Sequence, residues 1–114
     1  MNIDMMKQWA ETVDFAVTVC DKDAKILFMN QKSRETFARH GDIIGHDLML
    51  YHPPHAREMI LKMLSEGISN TYTIEKNGLH KLIHQTPWRD EEGNVAGLVE
   101  ISVVVPADAP HYVR

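Results

Sequence analysis

Apolar positions in the first third of the chain fall into two short runs followed by a helical pattern. Residues 15–20 and 25–29 are mostly apolar and flank a four-residue turn at 21–24, which predicts a β-hairpin. Residues 31–40 then carry helix formers as far as Gly41, a residue type that commonly ends helices. The pattern therefore predicts two strands and then a helix over 31–40.

The pair Pro53-Pro54 marks the clearest boundary in the chain. Proline disfavours helical geometry in the residue before it but suits the first turn of a helix. We therefore expect a helix from Pro54 to Glu66, ended by Gly67. The apolar stripe that this helix would bury consists of Ala56, Met59, Ile60, Met63 and Leu64.

The remainder of the chain predicts three more strands. Residues 71–75 and 79–88 flank an Asn-Gly pair, which is a strong hairpin signal, and 95–105 follows a polar turn. Residues 106–114 contain two prolines and are expected to form a loose tail. Strands, then helices, then strands again predict an α+β fold with an antiparallel sheet and the helices on one face.

Residues 1–13 have the pattern of an amphipathic helix. Ile3, Met6, Ala10 and Val13 recur at spacings of three, four and three, with charged residues between them. So short a helix is marginal alone in water, so its apolar stripe must lie on another surface. That surface is either the rest of the same domain or a second copy of the chain, and both can hold for different parts of the stripe.

Composition and charge narrow the classes of protein. The 114 residues are 44% hydrophobic and 25% charged, which fits one globular domain with its own core. The net charge of −4 gives no basic surface for nucleic acid, and no apolar run approaches the ~20 residues of a membrane span. The single cysteine, Cys20, excludes an internal disulfide, and the cytoplasm is the expected location. We divide the chain into a helix 1–13, a domain 14–105 and a tail 106–114.

Several short motifs, in their order and spacing, resemble those of PAS domains. Residues 21–30 look like the first hairpin of that family, in which an Asp-centred turn leads to a strand ending in Asn. The other matching segments are Ile43-Ile44-Gly45, Asn77-Gly78, the Pro87-to-Gly93 turn and the closing strand Gly97-Leu-Val-Glu-Ile-Ser102. The resemblance covers roughly residues 10–104.

The resemblance implies a five-stranded antiparallel sheet in the order 2-1-5-4-3, with helices over one face and an internal pocket. PAS domains are sensory and interaction modules, often dimeric through a helix that precedes the first strand. Residues 1–13 lie where that helix belongs, so we expect a homodimer formed through them. The ending, residues 110–114, resembles neither a purification tag nor a linker, which favours a free-standing protein.

The same resemblance bears on whether this chain binds flavin or haem. The flavin photoreceptors of the family use a cysteine at the position that Leu48 occupies here, so no cysteinyl-flavin adduct is expected. Some PAS domains bind haem through a histidine on the helix beside the ligand, but that position falls around Met59. We therefore expect no cofactor and keep haem as the alternative.

The histidines do not form a recognisable metal site. His80 and His84 are separated by ~13 Å along a strand, too far to share one ion. His52 and His55 supply only half of a closed zinc site, and no cysteine or acidic cluster completes it. No metal site is therefore predicted.

The resemblance and strand alternation together suggest the lining of the pocket. Matching Pro87 to the family places Ile83 and Gln85 on the pocket side, although a register slip of one residue would reverse this. The full set of candidate ligand-binding residues is Thr18, Cys20, Met59, Met63, Ile83, Gln85 and Leu98. A small, mostly apolar cavity for a modest organic ligand and a filled core without ligand both agree with this lining.

The sequence thus predicts a sensory or protein-interaction module in signal transduction, which binds a small ligand or a partner. No catalytic motif is present, so no enzyme activity is expected. The alternatives are a haem- or flavin-type gas or redox sensor and a ligandless dimerisation module.

Overall fold

The computed structural model describes residues 3–114, with side chains from Lys7 onward. Within that range the chain forms three α-helices, five β-strands and two short 3-10 turns. The helices are α1 (Ile3–Thr12), α2 (Gln31–Thr36) and α3 (Pro54–Glu66). The strands are β1 (Ala16–Asp21), β2 (Ile26–Met29), β3 (Asn70–Lys76), β4 (Leu79–Arg89) and β5 (Val95–Val104).

The strands form one sheet in the order β2-β1-β5-β4-β3, and each neighbouring pair is antiparallel. The fold class and strand order expected from the PAS resemblance are therefore confirmed. The Asn77-Gly78 turn joins β3 to β4, with φ of 54° and 77° at its two residues. Such positive φ values are those that a two-residue hairpin turn requires.

The helices α2 and α3 pack against the strands and enclose the core. Cys20 and Leu98 of the sheet meet Ile60 and Met63 of α3 in one buried cluster. A second cluster lies beside the first hairpin and consists of Ile26, Met29 and Ile43, with Phe37, Leu48 and Tyr51 packed against it. The inner face of the sheet, which these clusters cover, is where the predicted pocket belongs.

The boundaries of α3 are those the sequence predicts. Pro53 precedes the helix in an extended conformation and Pro54 is its first residue. Gly67 ends it in the left-handed region, with φ of 68°, and its backbone N–H donates to the Met63 carbonyl at 2.9 Å. Glycine adopts this conformation at no steric cost.

The prediction of one helix over 31–40 is wrong beyond Thr36. The backbone leaves helical geometry at Phe37, and a separate 3-10 turn covers Ala38–His40. Phe37 packs on the second buried cluster, so burial of its ring decides the local geometry over helix propensity.

The amphipathic segment at the amino terminus is helical in the structure over Ile3–Thr12. Two residues of its predicted stripe, Ile3 and Met6, have side chains outside the described residues. Ala10 and Val13 are half-buried, and α1 contacts α2. None of the described helices is long and apolar enough to cross a membrane.

Candidate ligand-binding site

Most of the candidate residues line one cavity between α3 and the inner face of the sheet. The cavity has a volume of about 20 Å³, roughly the space that one water molecule needs. Five candidate residues line it, namely Thr18, Cys20, Met63, Gln85 and Leu98. The side chains that join them are Phe37, Leu48, His52, Ile60 and Glu100.

The remaining two candidates, Ile83 and Met59, border spaces that open to the surface beside the cavity. Ile83 lines a cleft of about 190 Å³ that also contains Thr18, Tyr72 and Glu100. Met59 lies on a wider groove of about 420 Å³ along the start of α3. The structure therefore brings five of the seven candidates together and distributes the other two over adjoining spaces. Their roles in binding remain predictions.

The cavity, the cleft and the groove share a polar rim. His52 borders all three, while Gln85 borders the cavity and the groove. Tyr72 borders the cleft and the groove. A molecule in the cleft would thus touch groups that also face the cavity.

Register explains why Ile83 and Gln85 lie on this side of the sheet. Gln85 pairs with Glu100 of β5 and with Asn70 of β3, and all three lie on the inner face. Glu100 in turn pairs with Thr18 of β1. Ile83 and Gln85 are 5% and 7% exposed.

The four paired residues form a polar row across the inner face, defined as Thr18, Glu100, Gln85 and Asn70. The Asn70 amide donates to Gln85 Oε1 at 3.0 Å. Gln85 Nε2 donates in turn to Glu100 Oε2 at 2.8 Å. Gln85 is therefore fixed by a partner on each side, and its amide cannot rotate without breaking both hydrogen bonds.

At the other end of the row, Thr18 is joined to α2. Its hydroxyl and that of Ser33 lie 2.6 Å apart, and both residues are buried. The row thus links four strands and one helix on the same wall of the pocket.

Two groups beside the row have defined protonation chemistry. The Nδ1 atom of His52 lies 2.9 Å from the Leu48 carbonyl oxygen, which can only accept, so Nδ1 carries a proton. Burial raises the pKa of the Tyr72 phenol, and the charge of Glu100 raises it further. The phenol is therefore a hydrogen-bond donor at neutral pH.

The cysteine in the cavity wall is chemically quiet. Cys20 is 1% exposed, and burial raises the pKa of its thiol above the ordinary value of 9.0. Because the thiolate is the reactive form, this thiol acts as a small apolar wall residue.

Sequence reasoning missed Glu100 and His52 as parts of the site. The resemblance relates Glu100 to the closing strand without assigning it to the pocket, and His52 with His55 falls short of a metal site. The signal for Glu100 was present, because it lies two residues after Leu98 and alternation places both on one face. No comparable signal existed for His52, whose position depends on the turn that precedes α3.

A second hydrogen-bonded centre connects this wall to α1. Asn30 is fully buried, and its Oδ1 accepts from the backbone N–H groups of Val17 and Ser33 at 2.9 and 3.0 Å. Its Nδ2 donates to the carbonyl oxygens of Ala10 and Phe15 at 2.9 and 2.8 Å. All four hydrogen bonds of the amide are made inside the protein.

The cavity alone has no room for a large cofactor. A cavity of about 20 Å³ is far smaller than a haem or flavin ring system, and Met59 lies outside it. Among the described residues, no three His, Cys, Asp or Glu side chains are grouped so that they could hold a metal ion.

Comparison with known proteins shows which families share this arrangement. A family model described as the PAS fold matches residues 10–107. The chain is similar to a PAS domain from Colwellia psychrerythraea, with 18% identity, a TM-score of 0.68 and coverage of 90% of this chain and 96% of that one. A sensory box sensor histidine kinase from Vibrio cholerae is similar at 14% identity and a TM-score of 0.62, with 90% of each chain covered.

A third similar structure is that of VqmA bound to DPO, with 16% identity and a TM-score of 0.68. The match covers 91% of this chain and 58% of that one. No curated protein matches the sequence. At these identities the solved structures share the fold with this chain.

Proposed function

The chain belongs to the PAS fold family, and on that premise we propose that it is a sensory module in signal transduction, which binds a small ligand beside the polar row and passes the signal to α1. Modules of this family are generally sensory and non-catalytic. The protein would act in the cytoplasm, in agreement with its single, buried free thiol.

The observation that carries the proposal is the hydrogen-bonded route from the pocket wall to α1. Thr18 lines the cavity and meets Ser33, whose backbone N–H donates to Asn30. The same amide of Asn30 donates to the Ala10 carbonyl near the end of α1. A ligand that moves the Thr18 side chain therefore acts on groups that position α1.

An ion pair on the surface supports the same coupling. Arg34 Nη2 lies 2.7 Å from Glu11 Oε1, and Arg34 Nη1 donates to the Met29 carbonyl at 2.8 Å. Because α1 is joined to α2 by this pair and by Asn30, it has a defined docked position. Undocking of α1 would be the second state whose population the ligand shifts.

The dimer proposed through residues 1–13 has apolar surface available to it. Trp9 of α1 is 47% exposed. The outer face of the sheet also carries partly exposed apolar side chains on three strands, namely Val19, Leu82, Val99, Ile101 and Val103. Extended apolar patches of this kind are common at interfaces between proteins.

The ligandless dimerisation module is the second candidate, and the small cavity favours it. A cavity of about 20 Å³ holds one water and no organic molecule, so a ligand would have to occupy the adjoining cleft. An absorbance spectrum of the purified protein separates a third possibility, since a haem or flavin sensor absorbs well beyond the aromatic band.

The dimer part of the proposal is tested by the mass in solution of three chains. The full chain should have the mass of two copies by light scattering, and a chain lacking residues 1–13 the mass of one. A chain lacking the tail 106–114 is the matched control and should remain a dimer. A full-length monomer, or an unchanged mass after removal of 1–13 from a chain whose circular dichroism shows a folded domain, would contradict the proposal.

A further inference from the structure

The polar row contains one charge without a partner of opposite sign. Glu100 is half-buried and borders both the cavity and the cleft. Among the described residues it forms no ion pair, and its Oε2 accepts from Gln85 Nε2. Burying a carboxylate is unfavourable unless cations or hydrogen-bond donors surround it. A single amide donor satisfies only part of the hydrogen-bonding capacity of the two carboxylate oxygens.

The cationic groups of the cleft lie towards its other end. Lys81 is four residues before Gln85 on β4, a separation of roughly 13 Å along a strand. Lys76 and Lys81 also border a more open groove on the surface, where Asp14 and Glu35 lie. The inner end of the cleft is therefore anionic and its mouth is cationic.

The other groups at the inner end of the cleft supply one hydrogen-bond acceptor, one donor and aromatic surface. Gln85 accepts at Oε1 and donates one N–H of Nε2 within the row, and its side chain borders the cavity and the groove rather than the cleft. His52 uses its Nδ1 proton on the Leu48 carbonyl, which leaves Nε2 of a neutral ring as an acceptor. Phe37 and Tyr72 add aromatic surface to the same cleft, and the Tyr72 phenol adds a hydrogen-bond donor.

From this arrangement we infer that the cleft takes a small planar molecule with a neutral or cationic N–H donor group, and that Glu100 receives that group. The inference rests on the proposed sensory function and gives its ligand a chemical class: amidines, amides and amino-heterocycles, in preference to carboxylates. The volume agrees, because an engineered cavity of about 150 Å³ holds one benzene ring and the cleft measures about 190 Å³.

Three probes of nearly equal shape separate charge and donor ability from size. Benzamidine is a cation with N–H donors, benzamide is neutral with N–H donors, and benzoate is an anion without them. Each is titrated into the ¹⁵N-labelled full chain while backbone amide shifts are followed. We expect benzamidine to bind most tightly and benzoate most weakly, with at least about a tenfold difference between them. The shifts should centre on Thr18, Tyr72, Gln85 and Glu100.

A matched pair of variants locates the preference. In Glu100→Gln the new amide oxygen still accepts from Gln85 Nε2, so the row is retained while the charge is removed. This variant should lose the preference for benzamidine, by about tenfold or more. Glu91→Gln removes the same charge from an exposed turn and should bind as the unmodified chain does. If Glu100→Gln does not fold, the ranking of the three probes by the unmodified chain decides alone.

The inference is overturned if benzoate binds as tightly as benzamidine, or if neither N–H donor binds at millimolar concentration. It is also overturned if Glu100→Gln keeps the preference or if the shifts fall on the outer face of the sheet. These outcomes are distinct from failure of the proposed function. If the chain is a dimer but retains a ligand without N–H donors, only the inference about the ligand class is refuted. If the chain is a monomer, the proposed dimer is refuted, independently of how the three probes bind.

Discussion

At the scale of single residues, Asn30 is the side chain on which the junction of α1, β1 and α2 depends. It is fully buried and satisfies two backbone N–H groups and two backbone carbonyls. Replacement by alanine would leave several buried backbone groups without partners, each of which costs about 1–3 kcal/mol.

We predict that Asn30→Ala lowers the free energy of unfolding by at least about 2 kcal/mol. Asn30→Asp should also destabilise the protein, since it places a carboxylate oxygen against the Ala10 and Phe15 carbonyls. Urea unfolding measures both, with Asn94→Ala in an exposed turn as the control. Equal stability of Asn30→Ala and Asn94→Ala would show that the network contributes nothing.

Gly97 is required for a different reason, namely close approach of the chain. A methyl group at Gly97 would collide with the backbone carbonyl of Cys20 and crowd the indole nitrogen of Trp88. That indole N–H donates a hydrogen bond to the same carbonyl at 3.0 Å, directly beside Gly97.

Gly97→Ala should therefore lower the unfolding free energy by about 1–3 kcal/mol, as overpacked sites do. Because the main obstacle is backbone, shortening the neighbouring side chain in Gly97→Ala/Trp88→Leu should not restore stability. Thermal unfolding of the three chains checks this. A double variant as stable as Trp88→Leu alone would place the obstacle in the indole and contradict the explanation.

How far single residues can be predicted depends on whether local sequence fixes their surroundings. Alternation along β4 puts Ile83 and Gln85 on one face, and only the match of Pro87 to the family assigns that face to the pocket. The pairing of Glu100 with Gln85 depends on strand register across the sheet, which a single sequence does not specify. His52 faces the pocket only because the turn before α3 folds back over the sheet.

At the scale of elements, the ion pair between α1 and α2 makes their contact sensitive to pH. The hydrogen bond from Arg34 lowers the pKa of Glu11 below its ordinary value of 4.5, against a smaller opposing effect of burial. A lowered pKa in the folded state contributes stability above the unfolded pKa, and this is lost as the pH falls through the folded pKa.

We predict that Glu11→Gln is less stable than the unmodified chain at neutral pH, by less than about 1 kcal/mol because both side chains are partly exposed. The difference should disappear when the carboxyl is protonated in acid. Urea unfolding at the two pH values measures it, and Glu91→Gln corrects for the change in net charge. A difference that persists in acid would mean that the ion pair is not its source.

Among the elements, those bounded by proline or glycine were the most predictable. Pro54 and Gly67 act through backbone geometry alone, so the bounds of α3 follow from the sequence. The end of α2 does not, because Phe37 turns into a core that other segments build. The helix propensities of residues 31–40 do not reflect contacts with that core.

At the scale of the whole molecule, the antiparallel order of five strands followed from resemblance and from the run of strands, helices and strands. The size of the hollow did not, since it depends on how Ile60, Met63 and Leu98 fill the space over the sheet. Strand alternation thus bears on which residues face the core and not on the size of the cavity between them. Because these side chains fill most of the space over the sheet, a ligand would have to bind in the cleft or the groove beside the core.

Native mass spectrometry of the full chain as purified tests the account most directly, because it reports subunit number and bound small molecules together. If the protein is a ligand-binding dimer, we expect an ion of two 13.1 kDa chains that carries the added mass of a small molecule. An ion of two chains with no added mass, before and after exposure to benzamidine, would support the ligandless module instead. A single chain carrying nothing under both conditions would contradict the account as a whole.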